Sequence, residues 1–208
     1  MSEVTPSLDD VIAYTLHGNR YLNITTACTL RCAFCPKFNK VWDVQGHNLK
    51  LSNKAGPSVD EIMAEVGDPL AFNEIVFCGL GESTLRWDVM LEVARRLKAR
   101  GATIRLNTDG LANLVYEKDV TPEMFGLIDA LSISLNAHNE EVYNRHCRPK
   151  KEGAFDSMLQ FTRKAKQFVP QVSLTAINGL EGVDIAACQA IADDIGVEFR
   201  QRELDIVG

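Results

Sequence analysis

Short apolar runs rich in β-branched residues alternate along the chain with longer stretches whose hydrophobic positions recur at helical spacing. The short runs predict six β-strands, and the longer stretches predict helices between them. The predicted strands are residues 21–27, 73–79, 102–110, 130–137, 171–177 and 197–203, and the predicted helices are residues 57–67, 83–101, 121–129, 139–146, 155–168 and 182–196. Ser58, with Glu61 three residues on, forms a capping box at the first helix, and Thr121 caps the third.

Strands that alternate with helices indicate right-handed βαβ units and a parallel sheet. Six units are fewer than the eight of a closed barrel, so an open doubly wound sheet and an incomplete barrel both fit. In either fold, ligands bind where the strands end. We expect one domain over residues 1–208, with residues 1–18 as an N-terminal extension.

Composition narrows the class of protein. The chain has 208 residues, of which 46% are hydrophobic and 24% charged, which is typical of a globular protein with a substantial core. No apolar run has the length of a membrane span, and the acidic start "MSEVTPSLDD" lacks the features of a signal peptide, so we expect a cytoplasmic protein. The net charge of −6 does not indicate nucleic-acid binding. A basic cluster at residues 145–151 is either a solvated face or a contact for an anionic substrate.

Polar and glycine residues gather where five of the predicted strands end. The motifs are a cysteine loop after the first strand, "GLGEST" at 79–84, "NTDG" at 107–110, "SLNA" at 134–137 and "TAING" at 175–179. Each motif alone is compatible with a turn or a helix cap. Because the ends of parallel strands meet at one edge of the sheet, together they predict a ligand site there.

The cysteine loop, "TACTLRCAFC", has the spacing CxxxCxxC, and six cysteines in a reducing compartment favour metal or redox chemistry over disulfides. Its cysteines are Cys28, Cys32 and Cys35. The others stand apart in the sequence: Cys78, Cys147 and Cys188. Structural zinc usually has a second ligand pair, which is missing here, although His47 remains an alternative fourth ligand. A [4Fe–4S] cluster held by three cysteines, with one iron left open, fits the loop better.

CxxxCxxC with an aromatic residue, Phe34, before the last cysteine resembles the cluster loop of the radical S-adenosylmethionine (radical SAM) superfamily. The resemblance implies an incomplete (β/α)6 TIM-type barrel. It also implies an enzyme of oxidoreductase or lyase type that carries a [4Fe–4S] cluster on Cys28, Cys32 and Cys35, with SAM on the open iron. SAM would be cleaved to a 5′-deoxyadenosyl radical that abstracts hydrogen from a substrate.

The same resemblance implies residues that contact SAM. "GLGEST" resembles the family's GGE motif with Leu80 at the second glycine, so Gly79 and Gly81 would let the backbone approach the methionine amino group, and Glu82 would anchor it. The alternative roles are helix capping by Glu82 and a dinucleotide fingerprint, which would need a glycine where Thr84 stands.

Further SAM contacts are implied at the next strand ends. Asn107 and Asp109 would offer an amide and a carboxylate, and Ser134 and Asn136 would contact the ribose or the carboxylate. Ser132, Ser134 and Asn136 alternate along one strand, and a face of polar side chains that points inward requires a ligand or water. Thr175 would flank the adenine, and the carbonyl of Phe34 would accept the adenine amino group.

Longer phrases, such as "NEIVFCGLGESTLR" and "YNRHCRPK", resemble the small radical SAM proteins that accompany TatD-type metal-dependent nucleases. The resemblance implies an electron donor such as flavodoxin or ferredoxin, and a TatD-type hydrolase as a possible partner. The substrate stays open between a small molecule, as for deazapurine synthases, and a partner protein, as for glycyl-radical activases. An iron–sulfur sensor or scaffold is the non-enzyme alternative.

The long insert at 36–57 exceeds an ordinary βα loop and is expected to form a small hairpin around Gly46. It is either a lid that protects the cluster or a surface for substrate or partner, with Lys37, Trp42 and His47 as contacts.

Overall fold

The computed structural model describes residues 10–204. Its strands are β1 (Ala13–Leu16), β2 (Asn19–Leu22), β3 (Asp43–Val44), β4 (His47–Asn48), β5 (Ile75–Phe77), β6 (Ile104–Thr108), β7 (Ala130–Ser134), β8 (Gln171–Asn178) and β9 (Glu198–Glu203). Its α-helices are α1 (Val59–Val66), α2 (Trp87–Lys98), α3 (Ala112–Tyr116), α4 (Glu140–Cys147), α5 (Ala154–Ala165) and α6 (Ile185–Ile195). None of the helices in this part of the chain is long and apolar enough to cross a membrane.

The main sheet contains seven strands in the order β1-β2-β5-β6-β7-β8-β9. From β2 to β9 all neighbours are parallel, and β1 is antiparallel to β2. The six parallel strands are the six predicted from the sequence. The two edge strands, β1 and β9, do not pair with each other, so the sheet is an incomplete barrel as expected.

The two faces of the sheet carry different side chains. Alternate strand residues such as Ile104, Leu106 and Leu174 point outward and pack with the helices in the main hydrophobic core. The inner face is largely polar from β6 to β9. This period-two separation confirms the prediction that Ser132 and Ser134 share an inward face.

Several boundaries differ from the prediction. Residues 13–16 of the expected N-terminal extension form β1, while residues 1–9 lie outside the described residues. The predicted helix at 121–129 is only a 3-10 turn at Thr121–Met124, preceded by Val120 rather than capped by Thr121. A similar turn, Ser83–Arg86, precedes α2. The capping box at Ser58 and Glu61 is present.

The 36–57 insert forms the expected hairpin, in which β3 pairs with β4 around Gly46. Val44 and Leu49 of this insert are buried against Tyr14, Tyr21 and Val76 in a second, smaller apolar cluster. The insert therefore packs on the inner face of the sheet, near its β1–β2 edge.

Candidate active site

A cavity of about 370 Å³ opens on the inner face where the strands end. The predicted site residues among its walls are Cys28, Cys32, Phe34, Cys35, Gly79, Gly81, Glu82, Asn107, Ser134, Asn136 and Thr175. The structure thus brings these residues to one place, although they come from five separate segments of the chain. Their individual contacts with a cofactor stay predictions.

The C-terminal end of α4 holds the cysteine loop in place. The backbone N–H of Arg31 donates to the carbonyl of Cys147 at 3.0 Å, and that of Ala33 donates to the carbonyl of His146 at 2.8 Å. The Lys150 ammonium donates to the carbonyl of Cys28 at 2.7 Å. The phrase "RHCRPK" is therefore a support for the loop, a role that sequence reasoning missed because the two segments are more than 100 residues apart.

The three loop thiols are largely buried, and Cys28 and Cys32 also lie near the Asp109 carboxyl. Burial, with Asp109 and Glu82 nearby, raises the pKa of Cys28 to about 12. A hydrogen bond with the Cys147 thiol, and then burial, raise the pKa of Cys32, and burial raises that of Cys35. Cys147 stands apart from the loop in the sequence, but in the structure its thiol adjoins Cys32. Neutral thiols of this kind become thiolates when a metal binds and displaces their protons.

Two buried carboxyl groups, Glu82 and Asp109, lie behind the cysteine loop. Oε1 of Glu82 accepts hydrogen bonds from the backbone N–H and hydroxyl of Thr84 at 3.1 and 2.8 Å and from the hydroxyl of Thr108 at 2.9 Å. Its Oε2 accepts from the backbone N–H of Asp109 at 2.8 Å. Glu82 thus caps the turn before α2, its alternative role in the sequence, and also ties the end of β5 to that of β6.

The Asp109 carboxyl accepts hydrogen bonds from the Thr29 hydroxyl and, at 3.0 Å, from the Leu111 backbone N–H. Burial, and then the neighbouring Glu82 charge, raise the pKa of Asp109 well above its usual range. A raised pKa means that the folded protein holds this proton more tightly than the unfolded chain. The resulting stabilisation is complete below the unfolded pKa of about 3.9 and is lost as the pH rises through the folded pKa.

We therefore expect Asp109→Asn to raise the free energy of unfolding at pH 7 by about 1 kcal/mol or more, since a tenfold change in proton affinity is worth about 1.4 kcal/mol. The amide resembles the protonated carboxyl but cannot ionise, so the gain should shrink toward pH 4. Urea unfolding of the iron-free protein across this pH range measures it. The exposed Asp88, changed to Asn, is the control. A variant no more stable than wild type at pH 7 would contradict the assignment.

The two glycines of "GLGEST" are required by close packing. Neither glycine has φ in the left-handed region, so the requirement comes from packing and not from backbone conformation. A Cβ at Gly79 would collide with the side-chain oxygen of Asn23, and one at Gly81 with the carbonyl oxygen of Thr25. The segment thus fits directly against the chain that leads into the cysteine loop, where the Glu82 N–H donates to the carbonyl of Ala27 at 2.8 Å.

The remaining strand ends supply polar atoms around the cavity. Oδ1 of Asn107 is buried without a hydrogen-bond partner among the described residues. The Thr175 hydroxyl donates to the carbonyl of Ile133 at 3.4 Å, and Oδ1 of Asn136 accepts from Arg202 at 3.2 Å. An unpaired buried oxygen is costly, so the position of Asn107 fits a site completed by a polar ligand.

The donor set fits an iron–sulfur cluster and SAM. Three thiols border one cavity, and a cubane needs one thiolate for each of three irons. Within residues 10–204, no three His, Cys, Asp or Glu side chains are grouped so as to hold a single metal ion. The polar walls suit the amino acid and ribose of SAM, and the Asn107 oxygen offers a vacant acceptor.

Two of the residues in the insert that were predicted as substrate or partner contacts, Lys37 and His47, interact with other parts of the protein. The Lys37 ammonium donates to the carbonyl of Thr26 at 3.0 Å and lies 4.8 Å from the centre of the Phe38 ring. The ring of His47 packs 5.1 Å from that of Tyr14. Neither Lys37, His47 nor Trp42 lines the cavity.

Among the cavity side chains that sequence reasoning missed are two tyrosines and two arginines. Tyr14 and Tyr21 border it from β1 and β2, and Arg200 and Arg202 border it from β9. The available signal was the alternation in "RQR" on the last strand, which places both arginines on one face.

Comparison with solved structures gives the fold. The structure of TYW1 with a lysine-pyruvate adduct bound matches with a TM-score of 0.63 at 18% identity, over 92% of this chain and 66% of that one. A radical SAM methyltransferase from Sphaerobacter thermophilus matches with a TM-score of 0.60 at 14% identity, over 92% and 68%.

Sequence comparison gives the family. A protein of Methanocaldococcus jannaschii that carries the name of a glycyl-radical enzyme activating enzyme is 30% identical over 128 residues, which are 61% of this chain and 46% of that protein. The chain thus aligns with less than half the length of this curated relative. The sequence model of the radical SAM superfamily matches residues 22–195. The chain therefore belongs to the radical SAM superfamily, whose enzymes use a [4Fe–4S] cluster and S-adenosylmethionine.

Proposed function

We propose that this protein is a radical SAM enzyme in which Cys28, Cys32 and Cys35 hold the cluster. The observation that carries the proposal is the convergence of this cysteine loop with four further polar strand ends on one cavity. A cluster held by these three thiols would, when reduced, supply the electron for cleavage of SAM to methionine and a 5′-deoxyadenosyl radical, which would take a hydrogen atom from the substrate.

The residues of the chain position the reactants and exclude water. The support from α4 and the contact between "GLGEST" and the chain before the cysteine loop fix the loop. Asn107, Ser134, Asn136 and Thr175 offer the polar groups for SAM. The hairpin of the insert covers part of the inner face. A site closed in this way limits which C–H bond comes within reach of a reactive group.

The test is SAM cleavage by the reconstituted protein. Oxygen-free reconstitution with iron and sulfide, followed by dithionite and SAM, should yield 5′-deoxyadenosine and methionine. A preparation with a full [4Fe–4S] spectrum that forms neither product would contradict the proposal. A protein that carries the cluster and fails to bind SAM would instead be an iron–sulfur sensor or scaffold.

Activation of a glycyl-radical enzyme is the second candidate function, favoured by the name of the Methanocaldococcus jannaschii relative. In that case the substrate is a backbone glycine of a partner protein. The two edges of the incomplete barrel leave room for such a partner. Electron paramagnetic resonance of a mixture with the partner would then record a glycyl radical.

We also propose the finer assignment to the TatD-associated proteins, with a TatD-type hydrolase as partner, on the support of the phrases quoted from the sequence. Flavodoxin or ferredoxin is the proposed electron donor. Exposed basic residues next to the cysteine loop suit an acidic donor: Arg31, Lys40, Arg148 and Lys150.

A further inference from the structure

Two arginines of the last strand point into the cavity. Arg200 and Arg202 are alternate residues of β9, so they share a face. Their parallel partners on β8 are Thr175 and Ile177, and all four residues line the cavity. Phe199, the neighbour of Arg200 in the strand, lies on the opposite face and packs against the main core. The inner face of β9 therefore places the guanidinium groups of Arg200 and Arg202 at the wall of the cavity.

These guanidinium groups lack carboxylate partners. Neither forms an ion pair with an acidic residue in the part of the chain that the structure describes, 10–204, where ten other ion pairs are found. Arg202 donates to Oδ1 of Asn136 at 3.2 Å, and its Nε is buried without a partner. The adjacent carboxylate, Glu203, accepts from the amides of Asn178 at 3.0 Å and Gln201 at 2.6 Å.

Arg202 is half-buried whereas Arg200 is exposed to solvent, so Arg202 carries the charge that needs a partner. Burial, and then the charge of Arg200, lower the pKa of Arg202. A buried charge is tolerated when it is paired, and here the described residues provide no pair. An anionic ligand would supply the missing negative charge, because a guanidinium binds carboxylate and phosphate oxygens through two parallel hydrogen bonds.

Across the cavity the wall is aromatic and apolar. The rings of Tyr14 and Tyr21 stack with centroids 5.3 Å apart and an angle of 21° between planes. Leu16, Val44 and Leu80 border the same space. This wall suits the carbon skeleton of a small molecule. The cavity thus combines a basic wall and an apolar wall with the polar region of the cysteine loop.

We propose that Arg200 and Arg202 bind the carboxylate or phosphate group of a small organic substrate, whose apolar or aromatic body lies against Tyr14 and Tyr21. This inference rests on the proposed function and assigns its substrate class. It makes the two arginines binding residues for the substrate rather than for SAM. It also disfavours the neutral backbone glycine of a partner protein as the group that enters the cavity.

The experiment measures anion binding directly. Isothermal titration under oxygen-free conditions adds benzoate, phenyl phosphate or neutral benzamide to protein loaded with cluster and SAM. We expect wild type to bind at least one of the two anions more tightly than benzamide, and Arg200→Gln and Arg202→Gln each to weaken that binding at least tenfold. Arg163→Gln removes the same charge from the exposed surface of α5 and should leave binding unchanged. Comparison of the two anions identifies the preferred oxyanion.

Three results would overturn the inference: no binding of either anion by wild type, equal binding by wild type and the Gln variants, or a tenfold loss of SAM affinity with anion binding intact. The last result would assign the arginines to the carboxylate of SAM. Arg202→Lys keeps the buried charge without the bidentate geometry and should bind the anion with intermediate affinity. Formation of 5′-deoxyadenosine by the same preparations tests the proposed function separately.

Discussion

Replacement of Cys28, Cys32 or Cys35 by Ala, one at a time, is expected to remove the iron–sulfur cluster and with it all SAM cleavage. In the proposed site each thiolate would hold one iron of a cubane, and the loop offers no other donor at these positions. Iron content should fall from about four per chain to less than one after reconstitution. Iron and sulfide analysis, the optical spectrum and the yield of 5′-deoxyadenosine measure the loss.

Two other cysteines provide matched controls for these variants. Cys188 is buried in α6 and does not line the cavity, so Cys188→Ala should keep its cluster and activity. Cys147 adjoins Cys32 but belongs to α4, and Cys147→Ala should also keep four irons. A Cys32→Ala protein with a full cluster would disprove the ligand assignment, and loss of the cluster from Cys147→Ala would add that thiol to the ligand set.

The parallel sheet could be predicted from the sequence because its signals are local. Runs such as "NEIVFCG" contain enough β-branched and apolar residues to define a buried strand, and CxxxCxxC places its thiols within one loop whatever the rest of the chain does. β1 was missed because it is an edge strand of four residues that depends on its pairing with β2. The short helix expected at Thr121 contains Pro122 and Gly126, and it does not continue beyond a single 3-10 turn.

The supports of the site could not be predicted because they arise from tertiary contacts. Nothing near Cys147 in the sequence indicates that its carbonyl accepts a hydrogen bond from Arg31. The glycines at 79 and 81 were expected to let the backbone approach the amino group of SAM, and only the structure shows that packing against Asn23 and Thr25 requires them. Sequence patterns thus locate the chemical groups of the site, whereas the segments that support these groups become their neighbours only when the chain folds.

Glu82→Ala is expected to lower the free energy of unfolding by about 3 kcal/mol, because each buried donor left without an acceptor costs about 1–3 kcal/mol. Four groups would lose their acceptor: the backbone N–H groups of Thr84 and Asp109 and the hydroxyls of Thr84 and Thr108. Relief of repulsion with the Asp109 carboxyl offsets part of this cost. In a protein of this size the midpoint of thermal unfolding should fall by about 6–12 °C, which calorimetry of the iron-free protein measures.

Glu82→Gln separates the structural role of this carboxylate from a role in SAM binding. The amide keeps the volume and one acceptor oxygen, but its NH2 group faces a donor, so the loss of stability should be about half that of Glu82→Ala, roughly 1–2 kcal/mol. Exposed Glu65, changed to Ala, should change stability by less than about 0.5 kcal/mol.

If Glu82 only ties β5 to β6, then Glu82→Gln binds SAM normally at temperatures where it is folded. If Glu82 also anchors the amino group, SAM affinity falls while the fold persists. A Glu82→Ala protein as stable as wild type would contradict the structural role, because the four donors would then have no need of the carboxylate.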